Sequence, residues 1–310
     1  MKIAFWGTSS FALPSLEKIF QSQHKILCVI TQPDKKQGRH LLRKAPPVKI
    51  RAEELDLKVI QPKILRDKDF LNYLKSLEPE LFVVVSYGKI LPKEILEIPK
   101  LFSINLHASL LPKYRGGAPI NWAILNGEKE TGISVFRINE VMDGGEIILQ
   151  KKISILEEDD ALTLGEKLSK EGADLLLEAI ELIEKGEAKF FPQDESKVSF
   201  APLLKKEDGR INWNNPAEKI YNQIRGLLPW PGCYCFWKDK LLKIWKAKIV
   251  EGDFSKFKGG EIVDFKKDGL LVATGKGGLL IEELQLEGKK RLSADKFLMG
   301  YRIQRGEVLK

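Results

Sequence analysis

The sequence predicts an α/β protein: a doubly wound sheet, then a small β-barrel domain of OB-like type. Three observations predict it. At 310 residues the chain exceeds one average domain. Its first 150 residues alternate short β-rich runs with helical stretches, the rhythm of a doubly wound sheet. Its last part switches to about five short strands split by turns, and an OB-type barrel is one way to close them.

The elements follow in order. KIAFW (2–6) reads as the first strand and KILCVIT (25–31) as the second. A helix is expected around Val48–Leu55, then a third strand in LKVIQ (57–61). ELFVVVS (80–86) is a continuous apolar run, which suits a central parallel strand covered on both faces. After a short helix near Pro92–Glu97, LFSINLH (101–107) is the next strand. TGISVFRI (131–138) and EIILQKKISI (146–155) read as a later strand pair. Residues 161–186 form a long amphipathic helix with an acidic start, Glu157–Asp160, and Gly186 at its end. Residues 187–208 lack periodicity and hold Pro192 and Pro202, so a linker is placed at 190–206. A helix near Pro216–Arg225 precedes CYCFW, KLLKIWKAKIV, GGEIVDF, GLLVAT and GLLIEELQL, the strands of the second domain. The expected domains are therefore 1–189 and 207–310.

Composition narrows the function. Hydrophobic residues are 43% and charged residues 30%, the balance of a soluble globular chain. No apolar run approaches the roughly 18 residues of a membrane span. MKIAFWGTSSFALP lacks an apolar h-region and reads as a strand and turn, not a signal peptide. Cys28, Cys233 and Cys235 form no zinc-ligand pattern and are expected as buried thiols of a reducing cytosol. The net charge of +8 lies wholly in the second part: residues 1–200 carry 29 basic and 29 acidic side chains, residues 201–310 carry 22 and 14. A neutral part joined to a basic one suggests chemistry in one and a polyanion partner for the other. GTSSFA has only Gly7 of a dinucleotide fingerprint, and Asp34 reads as a turn residue, so a dinucleotide site is poorly supported.

The stretch SINLHASLLPKYRGGAP (103–119) carries the chemistry. Side chains alternate along a strand, so Asn105 and His107 share one face. They sit at the carboxyl end of a late strand, where open α/β sheets hold their ligands. An amide NH2 donates without titrating, and an imidazole donates or moves a proton near neutral pH. Together they suit an oxygen that gains negative charge during acyl transfer. Asp143, before Gly144 and Gly145, could orient and stabilise the imidazole. The residues alone leave a second reading open, in which Asn105 and His107 are satisfied polar groups closing a strand and Asp143 is a plain turn residue.

INLHASLLPKYRGGAPINWAI, with MDGGEII some 25 residues on, resembles the folate-dependent formyltransferases. So do VVVSYGKILP (83–92), GTSSFA, TQPDKKQGR, PPVK, INW and GLLPWPG, and the likeness covers nearly the whole chain. It implies a Rossmann-like catalytic domain of formyltransferase type followed by a small OB-like barrel. It implies Asn105, His107 and Asp143 as the catalytic trio. The formyl donor would be 10-formyltetrahydrofolate and the acceptor the α-amine of methionine on initiator tRNA. Ser109, Leu110, Leu111 and Pro112 would meet the folate, with Ser86, Tyr87, Gly88, Ile90 and Leu91 as the other wall. Ser9-Ser10 replaces the Pro-Asp common among relatives, which leaves the first turn's contact with substrate open. Among relatives, a sugar formyltransferase acting on a nucleotide-sugar amine is the competing acceptor class. A cytoplasmic monomer without metal or membrane contact is expected.

Residues 35–51, KKQGRHLLRKAPPVKIR, hold seven Lys or Arg and no acid, inside an expected insertion at 34–50. A dense cationic loop fits a phosphate backbone. By resemblance, Arg39 would read the unpaired end of the acceptor stem, with Lys36, Arg43 and Lys44 on phosphates. In FWKDKLLKIWKAK, Trp237 and Trp245 read as core residues with lysines on the opposite face.

Overall fold

The computed structural model describes residues 1–37 and 42–310, with Lys36, Gln37 and Leu42 described in backbone only. The chain divides into two compact units. One holds Met1–Pro119, Glu130–Ser154 and Gly165–Pro202; the other holds Ile120–Lys129, Ile155–Leu164 and Leu203–Lys310.

The first unit is built on β1 (Lys2–Gly7), β2 (Lys25–Ile30), the short β3 (Lys35–Gln37) and β4 (Leu42–Lys44), β5 (Val59–Ile60), β6 (Leu81–Val85), β7 (Phe102–His107), β8 (Glu130–Arg137) and β9 (Ile147–Ser154). Seven of these make one sheet in the order β5-β2-β1-β6-β7-β8-β9. The strands from β5 to β7 run parallel, and β8 and β9 are antiparallel to their neighbours. The expected doubly wound, Rossmann-like sheet is present, and the expected strand pair supplies its mixed edge. β6 is buried at every residue, as its unbroken apolar run requires of a strand covered on both sides. From β1 the chain moves outward to β2 and β5, then returns to β6 on the other side of β1. Such a switch point opens a crevice at the carboxyl ends of the strands.

The helices are α1 (Leu13–Phe20), α2 (Pro47–Glu54), α3 (Lys68–Ser76), α4 (Lys93–Leu96), α5 (Pro119–Leu125) and α6 (Ala161–Glu184). Helices α1, α3 and α5 were not legible in the sequence. α3 shows why: only Phe70 and Leu74 are buried, a one-turn stripe in a charged background. Its start is set by Asp67, whose carboxylate accepts the Phe70 N–H at 3.0 Å. Phe70 and Leu74 join Trp6, Phe82, Tyr87 and Ile95 in one core cluster.

The second unit contains α7 (Ala217–Gly226), β10 (Cys233–Trp237), β11 (Lys240–Val250), β12 (Ile262–Lys266), β13 (Gly269–Ala273), β14 (Gly278–Leu286), β15 (Leu292–Ser293) and α8 (Ala294–Gly300). These strands form an antiparallel sheet in the order β10-β11-β14-β13-β12, with β15 added on β14. Ile220 and Ile224 of α7 pack with Leu242, Ile244, Leu279 and Ile281 in its core. Cys233 and Cys235 are fully buried there.

Candidate active site

The site grows from the carboxyl end of β7. In its ladders, Asn105 stands between Val84 of β6 and Phe136 of β8, and His107 stands opposite Ser134 of β8. The two-residue period puts both on one face. Asn105 is half-buried and His107 is 6% exposed. Among the described residues, no partner takes the Asn105 carboxamide.

His107 has two neighbours of defined chemistry. Nε2 lies 2.9 Å from the carbonyl oxygen of Tyr114. Nδ1 lies 3.7 Å from Oδ2 of Asp143. A carbonyl oxygen only accepts, so Nε2 carries the hydrogen. The carboxylate is beyond hydrogen-bond length and acts on the ring as a nearby charge.

Asp143 lies in the β8–β9 connection with a left-handed backbone, φ +51. Its Oδ2 accepts the Gly116 N–H at 2.8 Å. Gly145 must lack a side chain, because a Cβ there would fall 1.7 Å from the Arg137 carbonyl oxygen. The sequence-derived trio thus contains one close pair, His107 with Asp143, and an Asn two residues away on the same strand face.

The turn after β7 is held from behind. Ser134 Oγ donates to the Ser109 carbonyl at 2.6 Å and accepts the Leu111 N–H at 3.1 Å. Gln150 Nε2 donates to the Leu111 carbonyl at 2.9 Å and to Ser134 Oγ at 2.8 Å. The Leu111–Pro112 peptide is cis. The Ser109 hydroxyl is spent on the Lys113 carbonyl at 2.6 Å, and Ser109 is fully buried. Leu111 is buried, whereas Leu110 and Pro112 are half-exposed, with Leu110 lying over Gly132.

The loop after β6 is tied to the first turn. Ser9 Oγ donates to Ser86 Oγ at 2.7 Å, which gives the unusual Ser9-Ser10 pair a structural task. The Tyr87 carbonyl accepts from Thr8 Oγ1 at 2.9 Å and from Gln32 Nε2 at 2.7 Å. Tyr87 is 1% exposed, and its ring packs edge-on against Trp6 at 5.2 Å. Gly88 has φ +79, Ile90 is 79% exposed and Leu91 is buried.

In the basic insertion, β3 and β4 pair antiparallel, setting Lys36 opposite Arg43 and Lys35 opposite Lys44. Arg43 and Lys44 are exposed. Arg39 lies outside the described residues. Asp34 anchors the base of the insertion: it accepts from Gln61 at 2.7 Å and from Lys49 at 3.1 Å, and these bonds hold its carboxyl below the usual carboxylate range.

The two tryptophans part company in the second unit. Trp237 is buried with Cys233 and Cys235, as expected. Trp245 is half-exposed, with Lys243 and Arg291 over its ring at 5.4 and 5.1 Å, so it is not a core residue. Leu242 and Ile244 take the inward phase of β11, which leaves 243 and 245 on the outward one.

Ser134, Gln150, Arg115 and Gln193 were missed by sequence reasoning. Ser134 and Arg115 are buried and Gln150 and Gln193 are not, and on unrelated segments they give no periodic signal; only Arg115 lay within a quoted motif. Among the described residues, no group of three His, Cys, Asp or Glu side chains could hold a metal ion, and no helix is long and apolar enough to cross a membrane.

Comparison with known proteins adds the following. The formyl transferase family matches residues 1–180, and the formyl transferase C-terminal domain matches residues 203–302. The chain is 50% identical to a methionyl-tRNA formyltransferase of Thermodesulfovibrio yellowstonii, over 98% of this chain and 97% of that protein. It is 46% identical to one of Caldanaerobacter subterraneus subsp. tengcongensis, over the full length of both. Among solved structures, the methionyl-tRNA formyltransferase from Clostridium thermocellum matches with a TM-score of 0.57 at 19% identity, over 82% of this chain and 95% of that one. The N-formyltransferase from Helicobacter canadensis in complex with folinic acid and dTDP-3-aminofucose matches with a TM-score of 0.66 at 22% identity, over 94% and 100%. At those identities the structures speak for the fold alone.

Proposed function

The chain belongs to the formyl transferase family, and from that premise we infer that it moves a formyl group from 10-formyltetrahydrofolate to the α-amine of methionine on initiator tRNA. One observation carries the chemistry: His107 is held between an acceptor carbonyl and the Asp143 carboxylate, two residues beyond a half-buried Asn.

The folate would supply the formyl carbon: the amine nitrogen bonds to it, its bond to N10 breaks, and N10 takes up the proton that the amine gives up, leaving tetrahydrofolate. The methionyl α-amine has an unperturbed pKa of about 7.7–8.0, so a useful fraction is neutral near pH 7. The Asn105 amide donates to the formyl oxygen as that oxygen gains charge. With Nε2 committed to Tyr114, Nδ1 is the ring nitrogen left to face the reacting groups. Asp143 stabilises the charged ring and helps remove the amine proton. His107 is held before the reaction by Tyr114 and Asp143, so the ring needs little reorganisation as charge develops.

The turn Ser109–Pro112 and the loop carrying Ser86, Gly88, Ile90 and Leu91 would hold the folate. The fit rests on a pinned turn with Leu110 and Pro112 half-exposed and on apolar Ile90 left in the open. Arg39 would read the acceptor end, with Lys36, Arg43 and Lys44 on phosphates. The cationic insertion suits an RNA acceptor better than a nucleotide-sugar amine. The working form is read as one chain in the cytoplasm, which sedimentation at working concentration tests.

The deciding experiment gives the purified protein 10-formyltetrahydrofolate with initiator or elongator Met-tRNA and measures formyl-methionine. Initiator tRNA should be formylated in preference, and Asn105→Ala should lower the rate about 100-fold or more. Formylation of neither tRNA sinks the reading; an Asn105→Ala variant at wild-type rate removes Asn105 from the oxygen.

A further inference from the structure

Gln193 stands in a stretch without periodicity, and nothing in the mechanism uses it. Its side chain is nonetheless fully committed. Nε2 donates to two carbonyls of the β8–β9 turn, those of Asp143 at 2.8 Å and Gly145 at 2.7 Å. Oε1 accepts twice from Arg115, from Nη2 at 2.8 Å and Nε at 3.1 Å. Arg115 is 3% exposed and also meets Glu195 at 2.8 Å. The residue after Arg115 is Gly116, whose N–H holds the Asp143 carboxylate. Arg115 is itself fixed by backbone bonds to Ser199 and Ala201, at 2.9 and 2.7 Å.

One carboxamide therefore joins both supports of Asp143: the turn that carries its backbone and the segment that binds its oxygen. Asp143 needs such support. Its backbone is left-handed, in a turn where Asp is among the few side-chain-bearing residues tolerated. Val141 and Met142 just before it are exposed. No hydrogen bond ties its carboxylate to His107, so their 3.7 Å separation must be set from elsewhere.

We propose that Gln193 is a positioning residue for formyl transfer, a clamp that sets the Asp143 carboxylate against His107 with Arg115 as its fixed post. The proposal rests on the formyl-transfer reading above and deepens it.

The test is a double-mutant cycle on formyl-methionine production. Gln193→Met removes the donors and the acceptor at similar length. Gln193→Glu keeps an acceptor for Arg115 but sets oxygens against the two carbonyls. Both are compared with Asp143→Asn, singly and combined. Misplacing a reacting group by about 1 Å can cost on the order of 100-fold. Gln193→Met should lower kcat about 10-fold or more, leave KM for tRNA and folate within about two-fold, and displace the pH–rate profile. In the Asp143→Asn background the same change should alter kcat by less than about two-fold, because there is no carboxylate left to place. If Gln193→Met proves unstable on thermal unfolding, the same cycle is read with Gln193→Glu. A cost equal in both backgrounds, or a pH–rate profile superimposed on wild type, overturns the clamp while leaving formyl transfer standing. An Asp143→Asn variant at wild-type rate sinks the site reading itself, and the clamp with it.

Discussion

His107 and Ser134 face each other across the β7–β8 ladder, so the proposed catalytic imidazole and the anchor of the proposed folate turn ride the same rung. Ser134 is fully buried, and its hydroxyl serves the Ser109 carbonyl, the Leu111 amide and the Gln150 amide at once. Removing it strands a buried backbone N–H, which costs about 1–3 kcal/mol. Ser134→Ala should therefore unfold at lower urea by that amount and raise KM for 10-formyltetrahydrofolate more than KM for tRNA. Unchanged stability with unchanged folate KM would mean that the turn does not depend on this hydroxyl.

The bond from His107 to the Tyr114 carbonyl makes a second prediction, about a proton. A carbonyl cannot donate, so Nε2 should carry the hydrogen of the neutral ring. Nitrogen-15 NMR of labelled imidazole should show Nε2 as the protonated nitrogen of the neutral ring. Finding the hydrogen on Nδ1 there would reverse the assignment of which nitrogen faces the reaction.

Much of this was legible before any coordinates. Continuous apolar runs announced β6 and β7, and a polar pair at the end of β7 pointed to the candidate site. Their two-residue spacing already placed Asn105 and His107 on one face. What escaped reading was whatever depends on a third segment. Gln193 meets Asp143 across 50 positions, and Ser134 meets Leu111 across 23, so neither contact has a local periodic trace. The Tyr87 ring turns into the core with Trp6 and Phe82, a direction that its loop motif does not reveal. Trp245 was misread because composition does not reveal strand phase: Ile244 took the inward position beside it.

The cysteines give a chemical test of the cores. Burial pushes the Cys28 thiol up to about 12, against a smaller opposing pull from Lys58, and raises Cys233 and Cys235 further. The thiolate is the reactive form, so a buried and protonated thiol is inert. Native protein at pH 8 should leave all three cysteines unmodified by an aromatic disulfide reagent, and denaturant should release three equivalents. Fast modification of any one in native buffer would show that its core opens readily.

The basic insertion is best tested through salt. Each cation that neutralises a phosphate releases condensed counterions, so affinity falls more steeply with salt as contacts increase. Arg43 and Lys44 are exposed on β4, and neither has an ion-pair partner among the described residues. Arg43→Ala and Lys44→Ala should each weaken tRNA binding and make the slope of log K against log salt shallower by about one. Asp34→Asn provides the contrast. It removes no cation but weakens the bond to Lys49 and the anchor at the base of the insertion. Affinity should fall while the slope stays at least as steep, since loss of an acidic charge cannot reduce the count of phosphate contacts made by Arg43 and Lys44. Filter binding of initiator tRNA across a salt series reads both effects. A slope unaltered by Arg43→Ala and Lys44→Ala together would move these two cations off the phosphates.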